Sequence, residues 1–245
     1  SPDLWDCVVA QHPGGWVWHR SDWLDYLVAA GRTDDSLAEV DDAGTITGIC
    51  PCLRPVPDDD PMPRPLAWTG PVDWPTRGQP EPLPSAHGWI TRVIDLALPE
   101  PGLWRDVRRS SHALIHRAEE QHTITPAATV HGLQSLYAGR SDLPSLSIRQ
   151  WTCLARLRQS GHLRIYEARH RLGGLVGAVG VYVWKGWAYY GAGRSVGGHG
   201  VSHLLQWSVI KALKSEGWPH YETGWMAHPG DDDKAKAIAH FKAGL

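Results

Sequence analysis

The sequence predicts a mixed α/β fold, and three observations predict it. Short apolar runs alternate with segments whose apolar residues recur at helical spacing, from the first ten residues to Lys242. A strand, a glycine loop and an amphipathic helix follow one another without a break over residues 187–214. Finally, 42% hydrophobic residues in a chain of 245 suffice for a substantial core. The longest nearly uncharged apolar run, residues 172–184, is too short and too glycine-rich to span a bilayer.

Taken in order, residues 6–10 read as a short strand and His12-Pro-Gly-Gly15 as a turn. Ser21 or Asp22 then caps a helix carrying Trp23, Leu24, Leu27 and Val28 on one face, which ends near Gly31. Residues 37–40 and 46–53 form a hairpin across Asp41-Asp-Ala-Gly44. Proline-rich loops at 55–65 and 74–84 flank a strand at 66–72, and residues 86–98 have a helical periodicity that Pro99 and Pro101 stop. A strand at 104–107 closes this half.

The second half opens with a helix from Ser110 or Ser111 to about Gln121, then a strand at 123–130. Residues 132–139 and 147–160 are helices, the second with Ile148, Trp151, Leu154, Ala155 and Leu157 on one face. Residues 162–169 and 175–184 pair as a hairpin, and 187–192 is the next strand. Gly191, Gly193, Gly197, Gly198 and Gly200 let the following loop turn with positive φ or come close to a ligand. Its free amides and the dipole of the next helix favour an anion, a phosphate or a developing oxyanion. That helix carries Leu204, Leu205, Trp207, Val209, Ile210 and Leu213 to Lys214, and a strand at 221–225 and a helix at 231–242 follow.

Charge is unevenly spread. Residues 1–104 hold six Lys and Arg against 16 Asp and Glu, residues 105–171 eleven against five, and residues 172–245 seven against five. The eleven basic residues of the middle stretch are all arginine, a residue suited to bidentate phosphate contacts, so a polyanionic partner competes with a plain solvated face. Four cysteines make no disulfide framework in a chain this long, and Cys50-Pro-Cys52 lacks the second pair zinc needs, so no metal is expected. The start shows no basic-then-apolar leader, and the chain is expected to be cytoplasmic.

Each half runs strand, helix, hairpin strands, strand, helix, strand, with the second half adding a second early helix and a closing one. That order resembles the GNAT acyltransferase fold, a mixed sheet flanked by helices that opens a V at its centre. Two such units in tandem, taken as residues 1–109 and 110–245, further resemble the Fem-type aminoacyl and peptidyl transferases. Three stretches carry the resemblance: Trp16-Val-Trp-His-Arg-Ser-Asp-Trp23 at a first-helix entry, the basic helix start Arg109-Ser-Ser-His112, and the run of a leucine-rich helix from Leu204, Tyr221-Glu-Thr-Gly224 and Phe241-Lys242. Glu222 stands where that family usually has Asp, and the helical insertion of its lipid-substrate members is absent.

The resemblance implies an aminoacyltransferase that joins an aminoacyl group from aminoacyl-tRNA to a small amine, a peptidoglycan precursor or a secondary metabolite, without a bound cofactor. By resemblance Lys242 lies at the transfer point and stabilises the oxyanion; a lysine at a helix end also simply suits the helix dipole. Glu222 is the candidate base, and Tyr189, Tyr190, Phe241 and Trp225 are expected around the acceptor. Arg194, Gly197, Gly198 and Gly200 are the candidate donor contacts, with the tRNA acceptor end against the arginine-rich middle. An acyl-CoA donor fits the glycine loop equally well. A serine hydrolase is the third reading, because Gly193-Arg-Ser-Val-Gly197 matches a nucleophile elbow at Ser195 with Asp231, Asp232, Asp233 and His240 after it.

Overall fold

Pro2 and Asp3 open the chain as a helix, since a proline in the first turn forfeits no hydrogen bond and an acid there meets the positive end of the dipole. The computed structural model describes residues 1–13, 15–51, 53–54, 90–138, 145–196, 198, 200–226 and 233–245. Its helices are α1 (Pro2–Gln11), α2 (Ser21–Ala29), α3 (Glu100–Asp106), α4 (Arg109–Gln121), α5 (His131–Tyr137), α6 (Ile148–Gln159), α7 (Val201–Ser215) and α8 (Asp233–Lys242). The strands are β1 (Thr33–Asp34), β2 (Leu37–Val40), β3 (Ile46–Cys50), β4 (Leu53–Arg54), β5 (Ile90–Asp95), β6 (His122–Pro126), β7 (Leu163–His170), β8 (Leu175–Trp184), β9 (Trp187–Ser195) and β10 (His220–Met226). No helix among the described residues is long and apolar enough to cross a membrane.

The chain divides into two units that interleave in sequence: Ser1–His87 with Ser141–Ser160, and Gly88–Arg140 with Gly161–Leu245. The first unit packs α6 on α2. Ser147 and Gln150 form a reciprocal capping box at the start of α6, and Arg156 reaches Asp25 at 2.7 Å and Asp22 at 3.5 Å. Val9, Val17 and Leu27 are fully buried there, and the antiparallel pairs β1–β4 and β2–β3 complete the described part.

The second unit is one six-stranded sheet in the order β5-β10-β9-β8-β7-β6. Every pairing is antiparallel except β9–β10. The sheet is covered on both faces, which explains the near-continuous apolar run of β8. Alternation along β8 assigns the faces: a side chain at Gly177 would meet Leu205 and Val201 of α7, whereas one at Gly180 would meet Leu133 of α5. Val179, Val181 and Val183 join Leu204, Leu205, Val209, Ile210 and Leu213 in the core on the α7 side.

Several expected elements come out differently. Residues 6–10 are helical, because Trp5, Val8 and Val9 follow helical rather than alternating spacing and bury Val9 completely. Within 86–98 the described part is strand β5 and the turn after it; Thr91, Val93 and Ile94 supply β-branched residues, and Ile94 is buried. Pro99 and Pro101 then open a helix instead of stopping one: Pro99 is the N-cap of α3, so residues 104–107, expected as strand, are mostly helical. The boundary expected at 109/110 also moves. β5 pairs with β10, so the six-stranded unit begins at Gly88, and α6 lies in the other unit. The expected loops at 55–65 and 74–84 and the strand at 66–72 lie outside the described residues.

Candidate active site

The sheet opens between its two parallel strands. β9 and β10 pair only at Trp187, Ala188 and Tyr189 against His220, Tyr221 and Glu222, and then part. Both strands carry an irregularity where they part. On β9, Gly180 faces Ala192 and Val181 faces Tyr190, so Gly191 is an extra residue. On β10 the register with β5 slips between Glu222 and Trp225, around Gly224 in a positive-φ conformation of +74°.

Four of the expected site residues meet at this opening. A Cβ on Gly224 would lie 3.1 Å from Tyr189 Oη and 3.3 Å from Lys242 Nζ, so the hydroxyl and the amine converge over a residue that has no side chain. Lys242 Nζ also sits 5.4 Å from the centroid of the Tyr190 ring, a cation–π distance. α8 packs on β10 to bring the lysine here, and its end is tied down twice: Arg92 donates to the Ala243 carbonyl at 2.6 Å and the Arg108 amide to the Gly244 carbonyl at 2.9 Å. Tyr221, one residue before Glu222, is fully buried and donates its hydroxyl to Gln206 Oε1 at 2.6 Å, which fixes β10 against α7.

Electrostatics at the opening follow from burial. Lys242 is only 7% exposed, and desolvation lowers its pKa from 10.5 to about 8, with Glu222 opposing the fall. Desolvation raises the Glu222 carboxyl, while a hydrogen bond from Thr91 and the Lys242 charge pull it back. Both groups are thus pushed towards neutrality by the same low dielectric, and each is the other's counter-charge. Burial also raises Tyr189, helped by Glu222, and Tyr190, helped by Tyr137.

The extra residue on β9 re-aims Tyr190. Positions 190 and 193 are three apart and would face opposite ways on a regular strand, yet a Cβ on Gly193 would come 2.6 Å from Tyr190 Oη. Phe241 packs against the second unit's core, its ring edge-on to His203 of α7 at 4.8 Å. Trp225 lies on β10, but its side chain and Gly197 fall outside the described residues.

Arg194 stands on β9 opposite Ala178, near enough to Tyr137 to lower the phenol against burial's rise. Gly198 and Gly200 have φ of +39° and +102°; Gly200 caps α7, and a Cβ there would strike the Leu114 carbonyl at 2.4 Å. Ser195 is the last residue of β9, in register with Gly177, and its hydroxyl shares a 2.7 Å hydrogen bond with Ser202. It sits in a regular ladder rather than on a sharp strand-to-helix bend, and His240 is hydrogen-bonded to Arg108 instead. Asp231 and Asp232 lie outside the described residues. The arginine-rich middle is split between the units, with Arg149, Arg156 and Arg158 on α6, and Arg105, Arg109 and Arg117 exposed on α3 and α4.

Sequence reasoning did not place Gly224, Thr91 or Tyr137 in the site, and it read Gly191 as part of the ligand loop rather than as an extra residue of β9. The Tyr221-Glu-Thr-Gly224 stretch did hold a signal, since a glycine inside a strand pattern marks a bulge or a close approach.

The sequence matches no protein-family profile and no curated protein. Among solved structures the chain is similar to FemX, with a TM-score of 0.65 at 13% identity over 99% of this chain and 92% of that one. It is more distantly similar to a tandem GNAT protein from the clavulanic acid biosynthesis pathway, with a TM-score of 0.45 at 14% identity over 99% and 89% of the two chains. The L-PGS of Bacillus licheniformis gives 0.43 at 14% identity over 58% and 47%. The chain therefore shares the fold of FemX, a mixed α/β fold.

Proposed function

We propose that this protein is an acyltransferase that forms an amide on a small amine, with the acyl carbonyl attacked in the opening between β9 and β10. The observation that carries the reading is the meeting of a buried lysine amine, Lys242, with Tyr189, Tyr190 and Glu222 where the two parallel strands part. At neutral pH a lysine with pKa about 8 is still largely cationic. Its charge lies ready for the oxygen that becomes negative as the carbonyl turns tetrahedral, a preorganised contribution of about 3 to 4 kcal/mol in comparable sites. The attacking amine must lose a proton as its C–N bond forms; Glu222, whose carboxyl burial makes more basic than usual, accepts it. The donor's alkoxide or thiolate then leaves as the carbonyl re-forms and takes up a proton.

For the donor we favour aminoacyl-tRNA over acyl-CoA. The Fem-type fold supports this choice, as do the exposed arginines on α3 and α4 in the unit that carries Lys242. Binding through phosphates weakens steeply with salt. The test incubates the protein with a mixture of charged tRNAs and, separately, with acyl-CoAs, each with small amines. Lys242-dependent deacylation of tRNA that ribonuclease abolishes is the expected result. Turnover of acyl-CoA alone transfers the reading to that donor, and turnover of neither by the wild type overturns it.

A further inference from the structure

The α5 face of the sheet holds a second feature, away from Lys242. A cavity of about 460 Å³ lies between β7, the turn after β6 and the start of α5, lined by Ala127, Thr129, His131, Ser135, Glu167 and Arg169 among others. Its volume falls within the range of small-molecule sites, roughly 300 to 1,000 Å³. The other cavity described, beside β5 and α3, is about 190 Å³.

Its lining includes a buried carboxylate: the Glu167 side chain is 10% exposed, and Arg169, two residues on and on the same face of β7, donates to its Oε2 at 2.7 Å. Burying an acid on a sheet is unfavourable unless it is paired, and replacing such a pair by apolar residues is often neutral or stabilising. The chain also gives up helix propensity to keep it. A Cβ at Gly132, in the first turn of α5, would fall 1.9 Å from Glu167 Oε1, so any other residue would evict the carboxylate.

The arrangement leaves the guanidinium oriented and available. One N–H of Arg169 is engaged by Glu167, and the side chain remains 51% exposed at the cavity wall, where His131 and Ser135 add further polar groups. A guanidinium held in one pose loses less freedom on binding and presents a flat fork to an oxyanion. Ala127, Ala128 and Gly132 keep the space before it open.

We infer that this cavity binds the anionic end, a carboxylate or a phosphate, of a small molecule, with Arg169 as its contact and Glu167 as the residue that positions the guanidinium. Glu167 is in register with Ala178, and Ala178 with Arg194, so the site and β9 share one row of the sheet. At about 4.8 Å between strands, the row spans roughly 10 Å from Glu167 to Arg194. On the proposed function, which this step alone rests on, the ligand is the acceptor: an amine whose far end is anionic.

Calorimetric titration of the full chain, without any acyl donor, tests the site. The probes are glycylglycine, its C-terminal amide and inorganic phosphate, which separate the two sources of the oxyanion. Saturable binding of glycylglycine or phosphate is expected, with Arg169→Gln weakening it by at least about tenfold and the amide binding at least about tenfold more weakly than the acid. Lys236→Gln, at a lysine of α8 whose side chain is 53% exposed, leaves binding unchanged. Glu167→Gln, which still accepts from Arg169, binds more tightly than Glu167→Ala, and the reverse order overturns the positioning role. No saturation by roughly 10 mM of either anion, or equal binding by a folded Arg169→Gln variant, overturns the site. Because no donor is present, that failure leaves the transfer reaction standing, and loss of transfer with binding intact does the opposite.

Discussion

Replacing Lys242 by Met separates what the lysine does for the reaction from what it does to the fold. Lys242 is 7% exposed, and its pKa falls from 10.5 to about 8. At about 1.4 kcal/mol per tenfold, holding that proton in the folded state costs about 3 kcal/mol. The sign follows from proton counting: between pH 8 and 10.5 the unfolded chain binds more protons than the folded one, so stability rises with pH across that window. Below about pH 8 both states are protonated and the full penalty is present. Methionine has a similar length and no charge, so Lys242→Met is expected to be more stable than wild type at pH 7 by up to about 3 kcal/mol, and by much less at pH 10. Urea unfolding of both proteins at pH 7, 8.5 and 10 reads the difference, and the variant is expected to lack acyl transfer. A stability difference that stays constant over this range refutes a desolvated amine at the opening, and transfer that survives in the variant refutes its role.

The pH–rate profile is expected to be a bell, with an acid limb set by the raised Glu222 carboxyl and a fall as Lys242 deprotonates near pH 8; in an active Lys242→Arg variant the alkaline fall disappears. Gly224→Ala puts a methyl 3.1 Å from Tyr189 Oη and 3.3 Å from Lys242 Nζ at φ +74°; it should cost about 1 to 2 kcal/mol by thermal unfolding and more than about tenfold in kcat. Gly193→Ala forces the Tyr190 hydroxyl aside, and activity lost there is expected to return in part when Tyr190→Phe removes the clashing oxygen, a non-additivity measured by a double-mutant cycle. Tyr221→Phe strands the buried Gln206 carbonyl and costs about 1 to 3 kcal/mol, much of it recovered by adding Gln206→Leu.

What the sequence made legible is the part governed by local periodicity. The β7–β8 hairpin, β9, the glycine loop and α7 follow from alternation, turn glycines and the leucine spacing, and Tyr189, Tyr190, Glu222 and Lys242 are on the page as short motifs. The rest depends on pairings that no local pattern records. Residues 86–98 satisfy a helical template as well as a strand, and only the free edge of β10 decides for the strand at 90–95. Thr91, whose hydroxyl donates to the Gly224 carbonyl at 3.1 Å and lowers the neighbouring Glu222 carboxyl, was hidden with it. Pro101 reads equally as a stop or a start, and the N-cap geometry at Pro99 settles it. The facing of Tyr190 depends on Gly191 being an extra residue, which shows only in the register. α6, a well-capped helix in its own right, carries nothing in its sequence to say which unit it joins.

The interleaving of the units has a practical corollary for anyone wishing to isolate the six-stranded sheet. A fragment beginning at residue 110 lacks β5, so β10 is left as a bare edge beside Lys242, open to pairing with another chain. Starting at Gly88 restores that edge but retains residues 141–160, whose apolar face, with Trp151, Leu154 and Leu157, has lost α2 and is thrown onto solvent. A soluble minimal version therefore calls for two operations at once: beginning at Gly88, and replacing residues 141–160 by a polar linker.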